Sequence, residues 1–146
     1  MTRRRVVVTG LGIVSPVGSN VALAWDNIVK GKSGIRPIDT YDVSTFSTRF
    51  AGLVSSDFKA EDWMGPKEIR KTDPFIHYGV AAAKQALKDS GIEVNDSTRD
   101  RIGILVGSGI GGIGSIEEQC VALNTKGVKR VSPFFVPSSI INMISG

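Results

Sequence analysis

The feature that most constrains this chain is a glycine-dense loop between an apolar run and a helix start. Arg101-Ile102-Gly103-Ile104-Leu105-Val106 leads into Gly107-Ser108-Gly109-Ile110-Gly111-Gly112-Ile113-Gly114. Glycine belongs where backbone must turn sharply or approach another group closely. The run before the loop reads as a buried strand. After it, Ser115 and Glu118 read as a capping box for a helix reaching about Lys126, with Ile116, Cys120 and Leu123 on its apolar face and Gly127 as its stop. The chain opens in the same way. Arg5 to Thr9 is a β-branched run that reads as a buried strand ended by Gly10. Strand, glycine loop and helix in this order predict an α/β fold.

Between these units the local signals are plain. Asn20 is placed to cap a helix carrying Trp25, Ile28 and Val29, with Gly31 ending it. Residues 32–66 are irregular, with one or two short strands expected around Arg49 to Val54. So long an irregular stretch suggests a surface layer packed on something else. Asp73 and Pro74 open the clearest helix, since proline loses nothing in the first turn. Ile76, Val80, Ala83 and Leu87 recur along it, Gly91 ends it, and Ala81-Ala82-Ala83 allows a neighbour to come close. Val131 to Val136 reads as a short extended piece. Ser138 or Ser139 is expected to cap a last apolar helix through Ile140, Ile141, Met143 and Ile144. That helix meets Gly146 without a basic last turn, so residues 1–146 read as a domain cut short.

Composition narrows the class. The chain has 146 residues, 41% hydrophobic and 22% charged, as expected for one globular domain able to bury a core. A net charge of +4 is too small to imply nucleic acid without clustering. One cysteine, Cys120, precludes an internal disulfide and fits a reducing compartment. The basic start Met1-Thr2-Arg3-Arg4-Arg5 is followed by an apolar run too short for a signal peptide. No apolar run approaches the roughly 20 residues of a membrane span. Cytoplasm is the expected location.

Each candidate for chemistry has a plainer reading beside it. Gly109, Gly111 and Gly114 match the G-x-G-x-x-G dinucleotide fingerprint. That motif needs an acidic residue about 20 positions on, and none occurs from Cys120 to Gly146. The loop is better read as backbone approaching something bulky, such as an acyl chain or another subunit. Cys120 sits mid-helix on an apolar stripe with no base in sequence to activate it, so it reads as a buried structural cysteine. His77, the only histidine, reads as a packed or surface helix residue. Lys67, Arg70 and Lys71 share a helical face, and Lys126, Lys129 and Arg130 form a second cluster. They are a solvated face or a docking patch for an acidic partner. No aromatic platform accompanies them, which disfavours nucleic acid. Ser15, Ser108 and Ser132 lack a histidine–carboxylate constellation, and metal-ligand spacing is absent.

The ordered set of motifs is recognisable. Arg4-Arg5-Val6-Val7-Val8-Thr9-Gly10-Leu11-Gly12, Ser15-Pro16-Val17-Gly18, Gly31-Lys32-Ser33-Gly34-Ile35, Phe50-Ala51-Gly52 and Arg101-Ile102-Gly103 resemble the opening of bacterial β-ketoacyl-acyl-carrier-protein synthases of the type II elongating kind. Gly107-Ser108-Gly109-Ile110-Gly111-Gly112 and Ser132-Pro133-Phe134-Phe135-Val136-Pro137 resemble it most specifically. The likeness covers essentially the whole chain and corresponds to about the first third of a family member. It implies the N-terminal part of a thiolase-like layered α/β/α/β/α fold, a homodimer, and decarboxylative Claisen condensation with a malonyl-carrier protein. The family's nucleophilic cysteine and two histidines match no position here, so the resemblance assigns this chain no catalytic residue, cofactor or metal. It assigns Ile110 to the acyl pocket near the dimer interface, and Phe135 and Val136 to positions approaching the partner's pocket. It assigns Lys67, Arg70 and Lys71, with Lys129 and Arg130, to docking of the acidic acyl carrier protein. A non-catalytic carrier-protein-binding module is the second reading, and a nucleotide-binding oxidoreductase domain a distant third.

Overall fold

The computed structural model describes residues 3–146, so Met1 and Thr2 of the basic start lie outside the described residues. The helices are α1 Val21–Val29, α2 Pro66–Ile69, α3 Pro74–Ser90, α4 Ile113–Lys126 and α5 Phe135–Ser139. Strands β1 Ile35–Pro37 and β2 Phe50–Gly52 pair antiparallel, with Arg36 opposite Ala51. Single 3₁₀ turns lie at Ala60–Asp62, Arg99–Arg101, Val128–Arg130 and Ile141–Ile144. The chain divides into two units: residues up to Lys59 with Ala82–Ile92, and Ala60–Ala81 with Glu93–Gly146.

In the first unit, the local signals act as expected. Asn20 has an extended backbone, and its Oδ1 accepts the Leu23 N–H at 2.9 Å, which satisfies an orphan donor of α1. Gly31, at φ +66°, follows the helix end in the left-handed conformation that glycine adopts freely. β2 falls within the stretch expected to hold a short strand. The opening glycines lie on the C-terminal half of α3. A Cβ on Gly12 would stand 1.9 Å from the Ala82 carbonyl oxygen, so only glycine fits against this helix. The alanine run therefore does admit close backbone approach. Gln85 fastens the contact. Its Nε2 donates to the carbonyls of Ile13 at 3.2 Å and Ser19 at 2.8 Å, and its Oε1 accepts the Ile13 N–H at 3.4 Å. Asp57 accepts from the hydroxyls of Ser19 and Ser55, and these bonds hold its carboxyl below the ordinary aspartate range.

Two expected strands do not form. Neither Arg5–Thr9 nor Arg101–Val106 joins a ladder, and both are exposed: Val6 at 92%, Val8 at 80%, Leu105 at 99%. A run of β-formers cannot satisfy its own N–H and C=O groups, so without a second strand beside it neither pairing nor burial follows. Trp25, Ile28 and Val29 of α1 are likewise exposed, and Ala24 is the buried residue of that helix.

In the second unit, α4 begins at Ile113 with Gly112 as its N-cap. The expected capping box of Ser115 and Glu118 is therefore absent, because Ser115 lies inside the helix and bonds Asp73 instead. α4 packs on α5 and on the turn Val128–Arg130. Its stripe of Ile116, Cys120 and Leu123 is exposed, so Cys120 is not the buried cysteine expected from periodicity. The piece expected to be extended turns helical at Phe135. Ser138 and Ser139 close that helix rather than cap a new one, since both hydroxyls bond back to the Phe135 carbonyl, at 2.9 and 2.7 Å. Pro137 lies in the first turn of α5, where its missing N–H costs nothing.

Gln85→Leu should leave the Ile13 and Ser19 backbone groups without partners and lower stability by about 1–3 kcal/mol. An unchanged urea midpoint for this variant would show that the side chain does not hold the opening loop.

Candidate functional site

The glycine loop is held by one carboxylate. Asp73 is buried, and its Oδ1 accepts the Phe75 N–H at 3.3 Å, capping α3 as the sequence suggests. Its Oδ2 accepts both the N–H and the hydroxyl of Ser115, at 3.0 and 2.9 Å, in the first turn of α4. The backbone joins in: the Asp73 N–H donates to the Ser138 carbonyl at 3.4 Å, and the Gly112 N–H donates to the Ser139 carbonyl at 2.9 Å. Gly111 is left-handed at φ +85°, and a Cβ on it would stand 2.4 Å from the Ser139 carbonyl oxygen. At Gly111 and Gly112 the close neighbour is the chain's own Ser138–Ser139 backbone.

The same geometry disposes of the dinucleotide reading. A helix N-terminus binds a phosphate through free N–H groups and a favourable dipole. Here the chain's own carboxylate fills that position on α4. Of the three fingerprint glycines, only Gly111 is sterically required; a Cβ on Gly109 would meet nothing within 4 Å, and one on Gly114 would make ordinary contact with Asp73. Burial, and then the Asp73 charge, push the Tyr78 phenol above its ordinary range.

The three residues assigned to an acyl pocket lie on segments that meet here. Ile110 immediately precedes the clamped glycine pair and is 63% exposed. Phe135 opens α5 and is half-buried, with its carbonyl taken by Ser138 and Ser139, and Val136 beside it is 58% exposed. The Gly112–Ser139 bond ties the two segments together. A shallow groove also runs along α4, lined by Gly114, Glu117, Glu118, Val121, Ala122 and Lys126, with no nucleophile in it.

All five proposed docking residues are exposed. Lys67 lies on α2, Arg70 caps that helix, and Lys71 follows; Lys129 and Arg130 lie in the turn Val128–Arg130. The Lys71 ammonium sits 4.6 Å over the Phe134 ring, which brings the first cluster onto the segment that follows the second. That segment is fastened to α4 by the Ser132 N–H, which donates to Gln119 Oε1 at 2.7 Å. His77 braces the first cluster from behind. The Thr72 hydroxyl spends its one hydrogen on the Glu68 carbonyl at 2.7 Å, so it must accept from His77 Nε2 at 3.0 Å. His77 is therefore buried and committed. Cys120 is exposed on α4, and no hydrogen bond joins the two among the described residues. No group of three or more metal-ligating side chains occurs among the described residues.

Sequence reasoning found the cap at Asp73 but missed its second partner, 42 residues on. It also missed the Lys71–Phe134 and Gln119–Ser132 contacts. No periodicity or motif reports contacts between such distant positions.

Comparison with known proteins accords with this arrangement. Residues 3–146 match the family described as beta-ketoacyl synthase, N-terminal domain. The chain is 55% identical over 146 residues to the 3-oxoacyl-[acyl-carrier-protein] synthase 2 of Vibrio cholerae, covering all of this chain and 35% of that protein. It is 47% identical over the same span to the enzyme of that name from Coxiella burnetii, again 35% of its length. Among solved structures, the ishigamide ketosynthase/chain length factor superposes with a TM-score of 0.79 at 27% identity, over 98% of this chain and 36% of that one. A type II PKS acyl-carrier protein in complex with its ketosynthase bound to the hexaketide superposes at 0.76 and 27%, over 99% of this chain and 37% of that one. With its family matched from end to end of the described residues, the chain belongs to the β-ketoacyl synthases, as part of their N-terminal domain. Its helices and small sheet are part of an α/β, thiolase-like fold. It spans about a third of the length of the curated relatives it matches.

Replacing Asp73 with Asn should lower the Tyr78 phenol toward, but not to, its ordinary range, because the charge is lost while burial remains. Ultraviolet titration reads this; an unmoved Tyr78 would place the carboxylate elsewhere.

Proposed function

We propose that this chain is the N-terminal third of a 3-oxoacyl-[acyl-carrier-protein] synthase that lengthens fatty acyl chains by decarboxylative Claisen condensation. The observation that carries this reading is the family match from residue 3 to residue 146, together with 55% identity to a 3-oxoacyl-[acyl-carrier-protein] synthase 2. In that reaction an acyl group passes from carrier protein to a cysteine thiolate, releasing the carrier thiol. Malonyl-carrier protein then loses CO₂, and the resulting carbanion attacks the thioester carbonyl and expels the cysteine. The cysteine and the two histidines that serve it are contributed by sequence beyond Gly146, so these 146 residues alone do not condense. Cys120 and His77 take no part: one is an exposed thiol without a base, the other a brace.

What this third supplies is recognition. Lys67, Arg70 and Lys71, with Lys129 and Arg130, form the docking face for an acidic acyl carrier protein. Clustered charge steers such a partner and loses strength as salt screens it. Ile110, Phe135 and Val136 line the acyl pocket near the interface of a homodimer. The uncovered apolar residues Val6, Val8 and Leu105 are what part of a larger layered fold leaves bare until its other layers are present. No membrane-spanning helix occurs among the described residues, and the setting is cytoplasmic fatty-acid synthesis. The non-catalytic reading draws on the same face, whose five cations are exposed within this chain alone.

In the full-length protein, Lys67→Glu/Arg70→Glu/Lys71→Glu should weaken carrier-protein binding by roughly tenfold or more at low salt. Native affinity should fall with ionic strength. Titration calorimetry that finds both unchanged refutes the docking face. Decarboxylation of malonyl-carrier protein by the 146-residue chain alone would refute the assignment of the chemistry to later sequence.

A further inference from the structure

The glycine loop has two mechanically different halves. Up to Ile110 its glycines are not sterically required: a Cβ at Gly103, Gly107 or Gly109 would meet nothing within 4 Å. From Gly111 it is locked. The Gly111 N–H donates to Ser108 Oγ at 3.1 Å, the Gly112 N–H is held by the Ser139 carbonyl, and Ser115 is held twice by Asp73. Gly112 is buried, and a Cβ there would stand 3.0 Å from the Asp73 Cβ and 2.9 Å from the Ser139 Cα. Steric demand for glycine therefore begins just after Ile110, the one bulky side chain from Gly107 to Gly112, and the Ser108–Gly111 bond spans that residue.

We propose that Asp73 is the positioning residue of this loop: by anchoring Gly112–Ser115 it fixes the pivot about which Ile110 moves, and so sets which acyl lengths the site accepts. The anchoring follows from the hydrogen bonds. Its consequence for acyl length rests on the condensing-enzyme reading. One carboxylate takes donors from two helix starts, Phe75 on α3 and Ser115 on α4, and negative charge is favoured at both. An amide at this position keeps the shape but offers one accepting oxygen instead of two, and no charge. The bond to Phe75 or the pair to Ser115 must then weaken. The pivot loosens without any side chain being removed from the acyl site. The Asp73 N–H also donates to the Ser138 carbonyl, so the same residue is tied to the far end of α5.

Two measurements on the full-length protein test this, with Ile110→Ala as the reference for a direct change at the acyl site. Amide hydrogen exchange should speed up by about tenfold at residues 111–115 in Asp73→Asn, with α1 unaffected. Ser115→Ala, which removes the hydroxyl bond and leaves the carboxylate in place, should do the same more weakly. It also guards against an Asp73 variant that fails to fold. In turnover with a series of acyl-carrier proteins, Asp73→Asn and Ser115→Ala should shift the ratio of kcat/KM between long and short acyl groups, chiefly through KM. The shift should have the same direction as that of Ile110→Ala. Unchanged exchange in both variants overturns the anchor. An acyl profile moved by Ile110→Ala but by neither of the other two overturns the positioning role and leaves the condensing reading standing. A protein that elongates no acyl group overturns the condensing reading, and the acyl-length consequence with it, while the exchange measurement decides the anchor separately.

Discussion

The buried carboxylate of Asp73 is the interaction on which the second unit depends. A buried charge is costly unless it is well hydrogen-bonded. This one accepts from two backbone N–H groups and a hydroxyl. The cost is offset because the donors are helix N-termini, which have unsatisfied N–H groups and a favourable dipole for an anion. The arrangement explains why the N-cap of α4 is Gly112 and not Ser115. It also explains why a loop with the outward form of a nucleotide cradle holds no space for a phosphate: the anion is already there, and it belongs to the protein.

Glycine serves one purpose in both units, though on different neighbours. In the first, Gly10 and Gly12 let the opening loop lie on the α3 backbone at Ala82, Ala86 and Ser90. In the second, Gly111 and Gly112 let the loop meet Ser138 and Ser139. Each is a backbone-to-backbone approach closer than any Cβ permits, and a polar group fastens each one, Gln85 in the first and Asp73 in the second. Small residues bring the segments together, and directional hydrogen bonds then select one register.

The division of labour within the proposed enzyme follows from what these residues can do. Lys71, just after α2, rests on Phe134, which follows the turn Val128–Arg130 and adjoins the pair Phe135 and Val136. The residues proposed for docking and those proposed for acyl lining are thus near one another in the chain, with Lys71 on Phe134 as the contact beside them. Nucleophilic chemistry requires a thiolate beside imidazoles, and the residues that could have suggested it here are otherwise placed. His77 donates to Thr72, and Cys120 lies open on α4.

Where a determinant and its partner lie within one helical turn and no distant group competes, the sequence by itself determined the outcome; at Ser115 a distant carboxylate did compete. The Asn20 cap, the stops at Gly31 and Gly91 and the Asp73-Pro74 start of α3 were all legible, because each acts on groups at most four residues away. Burial and pairing were not. The β-branched runs at Arg5–Thr9 and Arg101–Val106 carry strand propensity, but a ladder needs a second strand that propensity does not supply. The apolar stripe of Ile116, Cys120 and Leu123 has helical periodicity, but nothing in that periodicity says whether another element covers it. Only the tertiary structure decided that Ser115 answers to Asp73, that Ser138 and Ser139 end a helix, and that Lys71 rests on Phe134. Each of these joins segments whose meeting depends on the path of the whole chain between them.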